Sequence, residues 1–468
     1  MVFSSVTFLF WFLPALIILY YLAPAKLKNL VMIIGSFVFY AWGEIRFLPV
    51  MFALSVEDFI CARLMQKYKD NPCRRKLLMF ISVGSNLAVL IFFKYTTFLV
   101  GNVFSMLGVE LPPPNIILPI GVSFNTFQSI SYALDVYRGE TDCEKSFYSY
   151  LTYTTLFPQI IAGPIVRYVT VENDLDDHLL TRDGFARGMR RFIVGLAKKV
   201  LIANNVGLLW SRVSVGEAGE MSVALYWIGI ISYTFQIYFD FSGYSDMAIG
   251  LARIFGLTFD ENFNFPYISQ SITEFWRRWH ITLGAWFRDY VYIPLGGNRC
   301  SKIKNLRNIV IVWALTGLWH GASWNFMLWG LYFAALLLIE KTFLSEWLKK
   351  FPPAVRHIYA MLLVTIGWVI FYFEDLGAGT AYIGGMFGFS GAPLFNSTAF
   401  YYLMNYGVVL LAAVYFSTPH FKRVIDRAEN ASTAAGIVGA TTAYIGVFVI
   451  CVAYLVNSSY NPFLYFRF

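Results

Sequence analysis

Apolar runs long enough to cross a lipid bilayer recur throughout this chain, and they constrain its fold more than any other feature. A spanning helix needs roughly 20 apolar residues to cover about 30 Å, because hydrocarbon offers no hydrogen-bond partner to a bare backbone. Such runs fall near residues 6–22, 30–48, 49–62, 77–100, 116–136, 148–166, 188–209, 222–252, 308–340, 355–373, 399–416 and 434–456. The shorter ones are candidates for re-entrant helices. The predicted fold is all-α, a polytopic membrane protein with one transmembrane domain over 1–468. Charged residues make up only 14% of the chain, against about 25% in soluble domains, which excludes a water-soluble enzyme. An apolar fraction of 58% excludes disorder, and no sustained short repeat points to a fibre.

The net charge of +8 does not imply nucleic acid, because the basic residues lie in short clusters between apolar runs. Arg63, Lys67, Lys69, Arg74, Arg75 and Lys76 form one cluster, and Arg187, Arg190, Arg191, Lys198 and Lys199 a second. The third runs from Arg277 to Arg307. Clusters of this kind stay on the cytoplasmic side. The loops 101–118, with Glu110 as their sole charge, and 374–400, acidic and without Lys or Arg, then face outward, as do both termini. Residues 1–10 carry no charge and continue into the first apolar run, so they read as a membrane segment rather than a cleavable signal. The five cysteines are scattered without CxxC or Cys/His spacing, which indicates neither a disulfide framework nor a zinc site.

Two stretches depart from the simple pattern. Residues 264–305 alternate aromatic and basic side chains, too polar to cross lipid and too apolar to float in water, and are expected in the interface. Residues 308–340, as one straight helix, would measure about 50 Å. Two shorter arms meeting near Gly317 to Gly321 fit better.

Polar groups inside membrane segments are costly, and so are the first candidates for function. In YTFQIYFDFSGYSDMAIG, Gln236 and Asp240 share a helical face while Asp246 lies about 120° away, so Asp240 and Asp246 form no obvious dyad. They line a functional path, or they cap broken helix ends around Gly243. Among five histidines, His178, His357 and His420 read as solvated near segment ends. His280, in the interfacial stretch, is a packed aromatic-type histidine or a functional one. His320 lies twelve residues beyond Asn308, roughly 18 Å in and so near mid-bilayer. At that depth it needs a partner or a water-filled cavity. No nucleophile elbow, HExxH, P-loop or GxGxxG accompanies it. An imidazole removed from water favours its neutral form and can take a proton from a hydroxyl that attacks an acyl carbonyl. Asn325, Ser323, Trp319 or a backbone N–H near Gly321 are the candidate donors to the oxyanion.

Four runs carry a family likeness: FDFSGYSDMAIG at 239–250, FWRRWHITL at 275–283, WFRDYVYIPLGGNR at 286–299 and LTGLWHGASWNF at 315–326. With MVFSS, PIGVSFNTFQSISYALDVYRG, FPQIIAGPIVRY and the terminal PFLYFRF, they resemble the membrane-bound O-acyltransferases over nearly the whole chain. The bacterial alginate O-acetylation branch is the most similar, and YIPLGGNR favours it over the D-alanyl transferases of teichoic acid.

That resemblance implies a funnel-shaped helical enzyme of the bacterial cell (inner) membrane. It would move an acyl group, acetyl above all, from a cytoplasmic donor to hydroxyls of an extracytoplasmic polysaccharide, directly or through a periplasmic or extracellular acetyltransferase partner. By motif, His320 matches the family's central histidine and His280 its second; His320 is the expected general base. Asp240, Asp246, Asn325, Trp319 and Ser323 are expected to line the path. No permanently bound cofactor or metal is expected. The donor would be acetyl-CoA or an acyl carrier thioester, with lipid and a cytoplasmic carrier as further partners, and the basic stretch from Arg277 offers a surface for anionic phosphates. The rivals are D-alanyl transfer to teichoic acid, a transporter or flippase, and a non-catalytic secretion scaffold.

Overall fold

The computed structural model describes residues 1–104, 106, 108–109, 114, 116–216, 220–430, 434–458 and 460–464. Glu110 in the predicted outer loop and the last four residues of PFLYFRF lie outside the described residues. The described chain is helical, with no strand among those residues. Six helices are long and apolar enough to cross a membrane: Pro72–Asn102, Arg182–Val213, Trp324–Leu348, Pro353–Tyr372, Ser397–Phe416 and Gly436–Asn457. The protein is an all-α, multi-pass membrane protein.

The chain packs as two compact units. One comprises residues 1–192 and 245–261, the other residues 193–244 and 262–468. In the first, helices Leu48–Lys67, Pro72–Leu90 and Val122–Arg138 pack on one another, and helix Ala25–Glu44 carries Phe39 into a buried aromatic cluster with Phe8 and Phe157. The run expected to span at 148–166 does not. Helix Phe147–Thr155 is nine residues long, about 14 Å, and after one more helical turn at Phe157–Ile160 the chain leaves helical geometry near Gly163 and Pro164. Gly121, at φ 79°, meets this segment so closely that a Cβ there would lie 1.9 Å from the Ile160 carbonyl oxygen. Two backbones touch, and only glycine fits.

Of the three histidines expected to be solvated, His420 is exposed and His357 half-buried, while His178 is buried. His178 is buried at the C-terminal cap of helix Tyr168–Asp177, with Nδ1 3.2 Å from the Tyr20 hydroxyl. His357 Nδ1 lies 3.0 Å from the Ser269 carbonyl, and His420 Nδ1 3.0 Å from the Tyr415 hydroxyl. The His178 imidazole, beside a segment end, covers apolar surface, so packing draws it in and the Tyr20 hydroxyl takes its polar atom.

The second unit centres on aromatic packing. Trp210, Tyr233, Tyr238, Trp279, Trp329, Phe333 and Trp368 belong to one buried cluster. Residues 302–339 form two arms, as the sequence length required. Helix Lys302–His320 gives way to a three-residue break, Gly321–Ser323, extended at both Gly321 and Ser323, and helix Trp324–Ile339 follows directly. The arms pack backbone against backbone: a Cβ at Gly317 would lie 2.4 Å from the Phe326 carbonyl oxygen, and one at Gly330 2.3 Å from that of Trp313. Small residues at such crossings let membrane helices approach closely. The basic, aromatic stretch forms helices Ile272–Arg278 and Ile281–Phe287, each seven residues and too short to span.

Candidate active site around His320

His320 is the last residue of its helix, and the Gly321–Ser323 break turns the chain immediately after it. The break is held by polar bonds. Ser323 Oγ donates to Asn325 Oδ1 at 2.6 Å, and Asn325 Nδ2 donates to the Phe371 carbonyl at 2.9 Å. Asn325 and Ser323 therefore tie the two arms to the C-terminal end of helix Pro353–Tyr372. That spends the amide donor of Asn325, one of the four candidate oxyanion donors.

The imidazole is 7% exposed and lines a cavity of about 20 Å³ with Ile237, Asp240, Phe241, Trp279, Trp329, Trp368, Phe371 and Leu464. Edge-on aromatic contacts fix the ring: Trp329 at 5.0 Å, Phe371 at 5.3 Å and Trp319 at 5.0 Å between centroids. A cavity of this size is near the space one water molecule requires. An acyl group therefore enters only when part of the wall moves.

Asp240 is the carboxylate of this cavity, and it is not alone. Lys199 Nζ stands 2.6 Å from Asp240 Oδ1, with both side chains at most 4% exposed. The C-terminal segment completes the pair: Leu464 N–H donates to Asp240 Oδ2 at 2.8 Å, and Lys199 Nζ donates to the Pro462 carbonyl. Asn204 Nδ2 donates to Asn461 Oδ1 at 3.2 Å, and the Phe463 ring lies 4.8 Å from Tyr244. Neutralised by Lys199, Asp240 gives the cavity a dipole rather than a net charge.

The other expected acid goes elsewhere. Asp246 belongs to the first unit, where Oδ1 pairs with Arg191 Nη2 at 2.6 Å while Arg191 also reaches Glu261 at 2.5 Å. Asp240 and Asp246 thus have separate cationic partners. Helix Val223–Ile254 runs unbroken through Gly243, so neither acid caps a helix end. A Cβ at Gly243 would lie 2.8 Å from the Gly195 carbonyl oxygen; that glycine serves helix contact, not a break.

His280 joins the neighbourhood through Trp319, whose ring lies 5.9 Å from His280 and 5.0 Å from His320. It caps helix Ile281–Phe287 with φ 45° and ψ 54°, a left-handed conformation rare outside glycine. It is 2% exposed, outside the six spanning helices, and burial pushes its imidazole down to about 3. Glu340 anchors the preceding helix. Its buried carboxylate accepts the Ile272 and Thr273 N–H groups at 2.7 and 2.8 Å and the Thr273 hydroxyl at 2.6 Å.

Residues 144–376, which hold His280 and His320, match the membrane-bound O-acyltransferase family. The whole chain is similar to a probable alginate O-acetylase AlgI of Azotobacter vinelandii, 39% identical over the full length of both. The chain belongs to the membrane-bound O-acyltransferase family. A peptidoglycan O-acetyltransferase of Helicobacter pylori is 32% identical over 91% of this chain and 88% of its own. A teichoic acid D-alanyltransferase of Bacillus subtilis is 30% identical over 57% of this chain and 69% of its own. Full-length similarity to the alginate O-acetylases places this membrane-bound O-acyltransferase in their branch, and it is an O-acyltransferase.

Three residues of this acyltransferase's site were not marked by the sequence: Leu464 in the cavity wall, Lys199 paired with Asp240, and Asn262 bonded to His280. Lys199 was absorbed into a topological cluster, although a lysine inside the apolar run 188–209 is itself a signal of a buried partner. Leu464 and Asn262 lie in irregular stretches where no periodicity marks a contact.

Proposed function

We propose that this acyltransferase moves an acetyl group from a cytoplasmic thioester, acetyl-CoA or an acyl carrier, to hydroxyls of an extracytoplasmic polysaccharide, directly or through a periplasmic or extracellular partner. The reading rests on one observation: a histidine at a helix break lines a small cavity walled by aromatic rings and a neutralised carboxylate. In the proposed step His320 takes the proton of the attacking hydroxyl as its oxygen bonds to the acyl carbon. The C–S bond then breaks, and the proton passes to the departing thiolate, leaving an ester and a free thiol. Trp329, Trp368 and Phe371 exclude water, which favours transfer over hydrolysis.

Similarity to alginate and peptidoglycan O-acetyltransferases supports a glycan acceptor and acetyl as the acyl group. The basic residues from Arg277 to Arg307 supply positive charge for the phosphates of a donor. Their placement on the cytoplasmic side of a bacterial cell membrane sets both termini outside. D-alanyl transfer is the second reading, favoured by the Bacillus subtilis relative, whose match covers just over half of this chain.

The deciding measurement is the ester content of surface glycans from cells carrying His320→Ala at normal protein abundance. Loss of esters is expected, by at least a hundredfold for removal of a general base. His320→Gln, which keeps a hydrogen-bonding side chain without a titratable base, is expected to be equally inactive. Undiminished esters refute the assignment. Mass analysis of the same glycans separates acetyl from D-alanyl.

A further inference from the structure

We propose that residues 461–464 form a strap that closes the His320 cavity, and that an acyl group enters when the strap leaves its clasp on Lys199 and Asp240. This rests on the reading of the cavity as the reaction site and adds how that site opens.

A cavity of about 20 Å³ has room for little more than a water molecule, so part of its lining moves before an acetyl group fits. All of that lining belongs to the second unit. Ile237, Asp240 and Phe241 stand on helix Val223–Ile254, and Trp329, Trp368 and Phe371 on two of the spanning helices. Trp279 caps helix Ile272–Arg278, its N–H donating to the Phe275 carbonyl at 2.9 Å. The rings lock one another: Trp368 lies 4.9 Å from Trp279 and 5.7 Å from Phe371, and Trp329 lies 5.2 Å from Phe371. Shifting any of them disturbs several close-packed neighbours at once. Leu464 is different. It is a buried leucine brought to the cavity by residues 460–463, which form no helix.

Polar bonds clasp this stretch to the helices. Leu464 N–H donates to Asp240 Oδ2 at 2.8 Å, Lys199 Nζ to the Pro462 carbonyl, and Asn204 Nδ2 to Asn461 Oδ1 at 3.2 Å. Breaking a bond to a lone buried ion would strand a charge, at a cost that holds most such contacts shut. Here no charge is stranded. Lys199 and Asp240 stand 2.6 Å apart, so they keep each other when the strap withdraws. The groups that it gives up are a main-chain N–H and a main-chain carbonyl, which water satisfies once they leave the wall. Lifting Leu464 widens the cavity beside His320 and leaves the aromatic rings in place. With the strap down, water is kept from the acyl carbon, and with it raised the acyl group enters.

The test locks the strap. Full-length protein in lipid nanodiscs carries Asn204→Cys and Asn461→Cys, with exposed Cys73 and half-buried Cys300 changed to serine. A short bis-methanethiosulfonate bridges the new pair, as checked by peptide mass. Bridging is expected to slow diethyl pyrocarbonate modification of His320 by at least about tenfold, and reductant to restore it. In cells carrying the same pair, new esters on surface glycans are expected to fall by a similar factor while the bridge lasts. Modification of His320 at the unbridged rate refutes the strap. A second measurement uses the unaltered chain, so no variant has to fold: by amide hydrogen exchange, peptides covering 461–464 are expected to exchange at least about tenfold faster than those of helix Pro353–Tyr372. Exchange as slow as that helix overturns the proposal. If bridging blocks His320 modification while the cells form no glycan ester even without the bridge, the proposed reaction fails and the strap stands.

Discussion

Breaking the Lys199–Asp240 pair is the most informative perturbation, because its two charges are buried together in the wall of the His320 cavity. At 2.6 Å their Coulomb attraction is ~6 kcal/mol at an effective dielectric constant near 20. Desolvating each ion costs several kcal/mol in the opposite direction, so the intact pair adds little net stability. Removing one partner is different. Lys199→Met leaves the Asp240 carboxylate with the Leu464 N–H, and Asp240→Asn leaves the ammonium with the Pro462 carbonyl. Each single change is expected to cost about 3–5 kcal/mol. The double variant Lys199→Met with Asp240→Leu removes both charges and is expected to recover most of that loss, giving a coupling well above 1 kcal/mol. Unfolding in detergent micelles measures the stabilities. Because Lys199→Met removes the bond to the Pro462 carbonyl, two residues before Leu464 in the cavity wall, the rate of His320 modification by diethyl pyrocarbonate, followed by peptide mass, is expected to rise in that variant. Single changes below about 1 kcal/mol that add in the double variant would refute the reasoning, since they would mean that water already screens the pair.

Two further outcomes test other parts of the structure. Gly317→Ala drives a Cβ to 2.4 Å from the Phe326 carbonyl oxygen and is expected to destabilise by about 1–3 kcal/mol, whereas Gly284→Ala, with open space around it, is expected to be neutral or to gain up to about 1 kcal/mol; equal effects on unfolding would contradict the close crossing of the two arms. His280 titrates near 3 when folded and at about 6.5 unfolded, so between these values the unfolded chain binds the extra proton. Its contribution is complete above about pH 6.5 and declines as pH falls toward 3, by up to ~1.4 kcal/mol per pH unit. Melting between pH 7 and 5 checks this: His280→Gln is expected to flatten the slope, and identical slopes would rule out a buried neutral ring.

The sequence was most legible where a single physical cost dominates. A run such as 399–416 has one low-energy outcome in lipid, a helix, and Ser397–Phe416 is that helix. The excess length of 308–340 forced a fold-back, and the chain turns at Gly321–Ser323. Reading was weaker where the cost is divided among partners. The run 148–166 is apolar enough to span, yet Pro158, Gly163 and Pro164 break it, and close contact at Gly121 makes use of the irregular backbone. Asp240 and Asp246 look alike six residues apart on one helix, but one meets Lys199 and the other Arg191. His178 reads as solvated beside an acidic loop and is instead buried against Tyr20.

Sequence alone determined that this chain lives in a membrane and that it is helical, and it singled out His320 as a candidate by its expected depth. Each follows from a local property, because hydropathy, helix rise and the cost of a polar group in lipid can be evaluated along the chain. The motif resemblance added the family. Only the tertiary structure decided who meets whom: Leu464 against Asp240, Asn262 against His280, and the Asn325 amide spent on the Phe371 carbonyl. Those partners lie 18 to 224 residues apart. Hydrogen bonds and ion pairs are short-ranged and directional, so what a side chain does there depends on which distant atom packing brings within about 3 Å.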